Sequence, residues 1–372
     1  MNTNIKLSII MPIYNGEHYI ETAVHSILSS SYRNLELLLI DDGSTDRSLA
    51  ICNKMAELDP RVNVYHKENE GIAAARNYGL DHATGEYVGF CDQDDEVSDE
   101  MYQKMITRIA TDQSQAAICG CCRQKKNGGR VACETYTDDV FEKQDIHRKL
   151  LLPMLFRGFA AYDNKEITIY PTIWKCIIYK QLIDEKNMRF HSFVNYEDDL
   201  IMLLQLLLHA DRISTLSEIL YYWNTNVHSE IHRSVGRYLK DLESRQQKLL
   251  DYVTKNLAEN GIDPQIVNQY IYVQQCRNAL QQLDNLSAFR GHKSVRRIKA
   301  LCNCDSVLYI QSASDTVKSG KGFVRNTVII PALRKKHIIT AYFLNQLIDS
   351  VRFFVEKYHV TERLERRIKK NP

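Results

Sequence analysis

The sequence predicts an α/β protein, a mostly parallel sheet with flanking helices, followed by a mainly α-helical and basic C-terminal region. Short β-rich apolar runs alternate with segments of helical periodicity through the first 120 residues, joined by short connections. That pattern implies right-handed βαβ units. It loosens after residue 120 and gives way to long amphipathic helical patterns from Ser234 onward. With 372 residues the chain exceeds one ordinary domain. The expected division is 1–230, itself split into segments 1–120 and 121–230, and then 231–372.

The elements are legible in order. Leu7–Met11 reads as a strand buried on both faces, Tyr19–Leu28 as a helix, Leu35–Ile40 as a second strand and Leu49–Leu58 as a second helix. Val62–Tyr65 and Ile72–Leu80 repeat the unit, as do Tyr87–Cys91 and Met101–Ala110. Residues 125–140 read as a polar hairpin or loop, and Pro171–Ile183 as strand or loop and then helix. Tyr196–Asp199 opens an apolar helix, Leu200–His209, and 212–223 is extended. Two helices between Ser234 and Leu286 break at Gly261–Pro264.

The net charge of +2 conceals an asymmetry. Residues 1–110 hold 9 Lys/Arg against 18 Asp/Glu, a balance of −9, whereas 318–372 hold 13 against 4, a balance of +9. The acidic front half argues against nucleic acid as a partner. The basic tail suits an anionic membrane surface or a homo-oligomer contact. Ten cysteines lack paired zinc spacings; Cys119, Cys121 and Cys122 read as strand-end thiols. Reduced thiols and no legible leader place the protein in the cytoplasm, at most on the inner face of the membrane. The longest apolar run, Leu200–Leu208, contains Gln205 and falls short of the ~18–20 residues of a spanning helix.

Ligands of such sheets bind at the carboxyl ends of the strands, and the residues there are acidic. Asp92-Gln93-Asp94-Asp95 follows the fourth strand. Like charges so crowded repel unless a cation or protons intervene. In an extended segment Asp92 and Asp94 share one side, within reach of a single ion. Oxygen ligands without His or Cys suit Mg²⁺ or Mn²⁺. The plain alternative is helix capping by Asp95 or Ser98. After the second strand, Asp41-Asp42-Gly43-Ser44 forms a turn in which Ser44 or Thr45 caps the next helix. That leaves Asp41 and Asp42 to accept hydrogen bonds from a base or ribose. Tyr14 is placed either to stack on a nucleobase or to pack in the core. Arg76, on a small-residue helix, either reaches a phosphate or stays structural. Glu197-Asp198-Asp199 favours the helix macrodipole, and one of the three is placed to act as general base. His228 and His232, after Tyr221-Tyr222-Trp223, belong either to a surface loop or to a sugar platform.

Five segments in this order resemble family 2 glycosyltransferases of the GT-A fold, the group that includes bacterial polysaccharide-assembly enzymes. They are Ser8–Asn15, Leu39–Asp46, Asn69–Asn77, Gly85–Asp95 and Tyr196–Asp199. The likeness is close over 5–110 and looser to 230. It implies an inverting transfer of a sugar from a nucleotide-diphosphate donor, UDP-linked by family expectation, to a hydroxyl of a glycan or lipid-linked acceptor. By the same resemblance Pro12, Tyr14, Asp42 and Arg76 line the nucleotide pocket, and Asp92 and Asp94 hold the metal and diphosphate. Asp198, beside Glu197, is the base, with Asp199 its competitor. Trp174-Lys175 resembles a stretch on the acceptor side, which His228 would join.

The strongest rival is a haloacid-dehalogenase-like phosphatase with Asp92 as nucleophile and Asp94 as acid. Three βα units precede the motif, however, and Glu96 stands where Thr or Val is expected. A nucleotidyltransferase would need a Gly-rich, basic first loop, which Pro12–Gly16 lacks.

Overall fold

The structure, a computed structural model, describes residues 5–124, 129–157, 169–193, 197–224, 241–288, 299–313 and 324–357. These fall into two compact units, one ending at Asn224 and the other beginning at Asp241.

In the first unit, β1 (Leu7–Ile13), α1 (Ile20–Leu28), β2 (Leu35–Asp42), α2 (Ser48–Leu58), β3 (Val62–Lys67), α3 (Ile72–His82) and β4 (Tyr87–Phe90) form the expected βα repeat. It continues with β5 (Glu96–Val97), α4 (Met101–Asp112), β6 (Ala116–Gln124), β7 (Arg130–Glu134) and β8 (Val140–Glu142). Then α5 (Lys143–Asp145) runs through a π-helical turn (Ile146–Leu151) into α6 (Leu152–Leu155). The unit is completed by β9 (Cys176–Tyr179), α7 (Lys180–Glu185), α8 (Asp198–His209) and β10 (Arg212–Asn224). All residues of β1 and β2 are buried, as their unbroken apolar runs require. The polar exception is satisfied: Ser8 donates to Glu36 (2.5 Å) and accepts from the Gly85 N–H (2.7 Å).

The sheet order is β3-β2-β1-β4-β9-β6-β10-β5. Its first four strands are parallel, but β9 lies antiparallel between β4 and β6. The sheet is therefore mixed, where a mostly parallel one was expected. Apolar periodicity reports that a strand exists, not which strand it pairs with, and β9 pairs with strands distant in sequence. Cys119, Cys121 and Cys122 lie within β6, buried, and not at its end.

The β1–β4 ladder ends at the Ile10–Phe90 pair, while β1 runs on beside β2 to Ile13. The strands part beyond Phe90, and that parting is the candidate crevice. Pro12 sits there, where its missing N–H breaks no ladder bond to β4. The βα units place three acidic segments near this opening: the ends of β2 and β4, and the start of α8.

The Leu-rich helix α8 buries Gln205, whose amide donates to Arg189 O (2.8 Å) and accepts from Arg189 N (3.1 Å). Among the described residues no helix is long and apolar enough to cross a membrane. The second unit contains α9 (Leu242–Glu259), α10 (Pro264–Ala288), α11 (Asp305–Ser312), α12 (Val324–Arg334) and α13 (Ile338–Lys357). Gly261, at φ +73°, ends α9, and Ile262 N–H returns to Leu257 O at 3.0 Å.

α3 lies close on β1, because a Cβ on Gly79 would stand 2.5 Å from Cγ2 of Ile10. Ile10 is fully buried and β-branched, so it cannot swing away. Gly79→Ala is expected to destabilise the protein by about 1–3 kcal/mol through overpacking, read as a lower urea midpoint with unchanged m-value.

Candidate active site

The loops after β1 and β2 are sewn together by short polar side chains. Asn15, at φ 48°, accepts from Thr45 N (2.8 Å), and its own N–H donates to Ser44 Oγ (3.0 Å). Gly16 N–H donates to Ser48 Oγ at 2.8 Å. Ser44 and Thr45 are thus spent on the neighbouring loop and do not cap α2, as had been expected. Asp46, one residue before the N-cap Arg47, accepts from Ser48 N at 2.9 Å. Tyr14 is 39% exposed at the crevice, with its backbone paired reciprocally to the Gln93 side chain at 3.0 Å in both directions. That pairing joins the first loop to the acidic one.

Asp41 and Asp42 are both buried at the end of β2. Asp42 accepts from Lys67 Nζ (2.8 Å) and from the N–H groups of Glu70 (3.1 Å) and Gly71 (2.7 Å). It therefore holds the loop that opens α3. Asp41 Oδ2 pairs with His66 Nδ1 at 2.7 Å, whereas its buried Oδ1 has no partner among the described residues. Unpaired buried acceptors are rare because desolvation is costly; the Asp41 side chain has no accessible surface, so this oxygen faces the interior and not a ligand, which corrects its expected role.

Asp92–Asp95 is a turn, closed by Asp95 N–H donating to Asp92 O at 3.2 Å. Asp92 and Asp94 are therefore not successive same-side residues of an extended segment, as the sequence had led us to expect. Both are partly exposed on the turn. Asp95 is buried and does not cap α4; it accepts from Tyr221 OH (2.8 Å) and Asn224 N (2.9 Å). Burial, then the charges of Asp92 and Asp94, push its carboxyl well above the usual carboxylate range.

Arg76 joins the acidic turn to the start of α8. Its Nη2 donates to Asp92 Oδ1 (2.8 Å), and Nη1 to Asp198 Oδ2 (2.5 Å) and Asp199 Oδ1 (2.6 Å). The side chain is 2% exposed, with the guanidinium 5.4 Å from the Phe190 ring. Arg76 is thus enclosed by carboxylates and not displayed toward a phosphate, which corrects its expected role. Burial weakens its charged form, but Asp199, Asp92 and Asp198 more than reverse this and raise its pKa. Asp199 also accepts from Ile173 N at 3.2 Å. Burial lifts the Asp199 carboxyl to about 7, against the pull of Arg76 and with the push of Asp198. Glu197 and Asp198 are both buried where α8 begins.

The acceptor-side residues are turned inward. Lys175 is wholly buried, donating to Glu134 Oε2 (2.5 Å) and Tyr170 O (2.7 Å). A side chain without accessible surface touches no acceptor, so Lys175 is a structural cation. Trp174 stacks on Tyr221, ring centroids 4.1 Å apart. Tyr221 is fully buried and so belongs to no surface platform. His228 and His232 lie outside the described residues. Sequence reasoning missed Tyr221, whose hydroxyl accepts from Asp92 N (3.2 Å) while donating to Asp95, and Gln93, which ties Tyr14 to the same turn.

Removing the guanidinium would leave its carboxylates facing one another in a poorly solvated site. Arg76→Gln is expected to cost about 3–5 kcal/mol at pH 8. In the variant the Asp199 carboxyl, already raised to about 7, rises further above its unfolded value. The stability this confers is complete at low pH and lost as pH climbs through the raised value, so the deficit should shrink from pH 8 to pH 5. Denaturant melts at the two pH values measure it; an equal deficit at both would refute the assignment.

Comparison with known proteins identifies the family. The model of Glycosyl transferase family 2 matches residues 8–167. The uncharacterized glycosyltransferase EpsJ of Bacillus subtilis (strain 168) is 31% identical over 279 residues, 74% of this chain and 76% of EpsJ. The uncharacterized glycosyltransferase YibD of Escherichia coli (strain K12) is 28% identical over 278 residues, 73% of this chain and 78% of YibD. Among solved structures, residues 1–349 of S. aureus TarS in complex with UDP-GlcNAc align with a TM-score of 0.61 at 19% identity, covering 93% of this chain and 92% of that one. That likeness speaks for the fold, and the sequence relatives speak for the family: the chain belongs to glycosyltransferase family 2.

Proposed function

We propose that this glycosyltransferase is an inverting enzyme that moves a sugar from a UDP-linked donor to a hydroxyl of a glycan or lipid-linked acceptor in cell-surface polysaccharide assembly. The carrying observation is the convergence of Asp92, Asp198 and Asp199 on one buried guanidinium at the crevice beyond β4. It puts the acidic turn and the candidate base in one rigid frame. The TarS complex with UDP-GlcNAc is the support for a UDP donor.

The nucleotide would lie over the ends of β1 and β2. Tyr14 offers an exposed ring for stacking. Asp42 accepts from Lys67 Nζ and the Glu70 N–H on Oδ1 and from the Gly71 N–H on Oδ2, which keeps one lone-pair site, and Pro12 lies near the end of β1. Among the described residues no three His, Cys, Asp or Glu side chains assemble to hold an ion by themselves. Mg²⁺ is commonly held by one or two carboxylates plus substrate phosphates, and the all-oxygen pair Asp92 and Asp94 fits Mg²⁺ or Mn²⁺ arriving with a diphosphate. Bound there, the ion would neutralise the diphosphate and the charge that grows on it as the glycosidic bond breaks.

The protein's own groups do the rest. Arg76 grips Asp198 through Oδ2 alone and leaves Oδ1 outside the ion pair. We assign Asp198 as the base that takes the acceptor hydroxyl's proton as the oxygen attacks the anomeric carbon. Asp199 has one oxygen on Arg76 and the other on Ile173 N–H, and acts as a strut. One displacement inverts the anomeric centre, so an α-linked donor gives a β product.

A panel of nucleotide sugars with Mn²⁺ tests this, reading thermal shift and UDP release. Asp198→Asn should lower kcat by about 10²–10⁴-fold while leaving the UDP-induced thermal shift intact; Asp94→Ala should remove the Mn²⁺-dependent part of that shift. Absence of any shift with nucleotide and ion together would overturn the reading. Phosphate release from a simple phosphomonoester would favour the phosphatase chemistry.

Tyr221→Phe keeps the ring on Trp174 and removes only the hydroxyl that spans Asp92 N and Asp95. It should raise the Mn²⁺ concentration for half-maximal activity about tenfold, of the order of one lost hydrogen bond to a charged group. Tyr102→Phe, which removes a buried hydroxyl without a partner among the described residues, should not change it.

A further inference from the structure

The second unit carries an exposed apolar stripe. α13 packs on α12 and α10, burying Ala341, Tyr342 and Asn345. Its other side presents Ile339, Phe343 and Leu347 at 60%, 55% and 60% exposure. A spacing of four places them along one stripe, about 12 Å long at the helical rise per residue. An aliphatic–aromatic–aliphatic row so exposed is unfavourable in water and marks a contact with something apolar.

The charges beside the stripe limit what that something is. Arg334, Lys335, Lys336 and His337 form the exposed turn that leads into α13. From Thr316 to Ile348 the chain has six Lys/Arg and no Asp or Glu, while Asp315 precedes that stretch and Asp349 and Glu356 follow it within α13. A second copy docked stripe to stripe would bring these cations together with no acid of this segment to answer them. An anionic lipid surface supplies both complements: acyl chains for Ile339, Phe343 and Leu347, and headgroup phosphates for the basic turn.

We propose that α13 and the basic turn before it dock on an anionic membrane surface, with the Phe343 ring at the centre of the contact and the helix axis in the membrane plane. The contact is independent of the donor chemistry, so its success or failure leaves the assignment of the transfer reaction untouched.

Sedimentation of the full chain with vesicles tests it, comparing phosphatidylcholine alone with phosphatidylcholine mixed with phosphatidylglycerol. Binding is expected only to the mixed vesicles and is expected to weaken as salt rises. Phe343→Glu and the pair Lys335→Glu, Lys336→Glu should each lower partitioning about tenfold or more. Because the substituted residues are exposed, the thermal midpoint should stay unchanged. Equal binding to both vesicle types, no binding to either, or unchanged partitioning of Phe343→Glu would overturn the proposal. So would light scattering that shows a dimer which Phe343→Glu dissolves, since a second copy would then be the occupant.

Discussion

The buried guanidinium of Arg76 is the constraint on which the site depends. Three carboxylates from two distant segments, Asp92 after β4 and Asp198 and Asp199 on α8, meet on it. Without the cation they would repel, and α8 would not begin where it does. The helix macrodipole helps, since acids in a first turn are favoured, but it cannot offset three charges held within hydrogen-bond reach of one point. Nor does one guanidinium balance them. With all three ionised the cluster retains two negative charges, and some of that excess is relieved by the raised Asp199 carboxyl. The same excess makes the crevice attractive to a cation, which is the physical ground for pairing the acidic turn with a diphosphate that brings one.

A second buried pair supports the first from behind. Lys175 and Glu134 have no accessible side-chain surface, and Glu134 also accepts from Tyr136 OH (2.5 Å) and Tyr170 N (2.7 Å). Such a pair adds little stability on balance, but its geometry is demanding and fixes the backbone that carries it. Here that backbone is the stretch from Tyr170 to Lys175. Its Ile173 N–H reaches Asp199, and its Trp174 ring lies on Tyr221, whose hydroxyl holds both ends of the acidic turn. The two halves of the acid cluster thus share one anchor.

Legibility in the sequence followed locality. The βα units through α4 were read to within a few residues, because each depends on periodicity inside its own span. The five acidic and glycine-bearing segments were also visible, since strand ends in an α/β sheet point to one edge. Three features were not. The antiparallel entry of β9 depends on partners remote in sequence. Arg76 reads as a phosphate ligand when considered alone; only the fold shows that acids from elsewhere claim it. Lys175 reads as an acceptor-side residue by resemblance, because nothing near it in sequence announces Glu134. Asp42 lies between these cases: its place at a strand end was legible, while its grip on the Glu70 and Gly71 N–H groups required the loop's path.

The arrangement bears on how such a site would work. Electrostatic groups help a reaction most when they are already oriented and do not relax as charge moves. Asp199 is held by two donors, Asp95 by two more, and Asp92 by Arg76 and by the Tyr221 hydroxyl through its own N–H. Asp92 and Asp198 each give Arg76 one oxygen only and keep the other outside the ion pair. Under the proposed reaction the two divide the work: Asp92 lies on the turn assigned to the diphosphate, and Asp198, at the start of α8, is the acid assigned the proton.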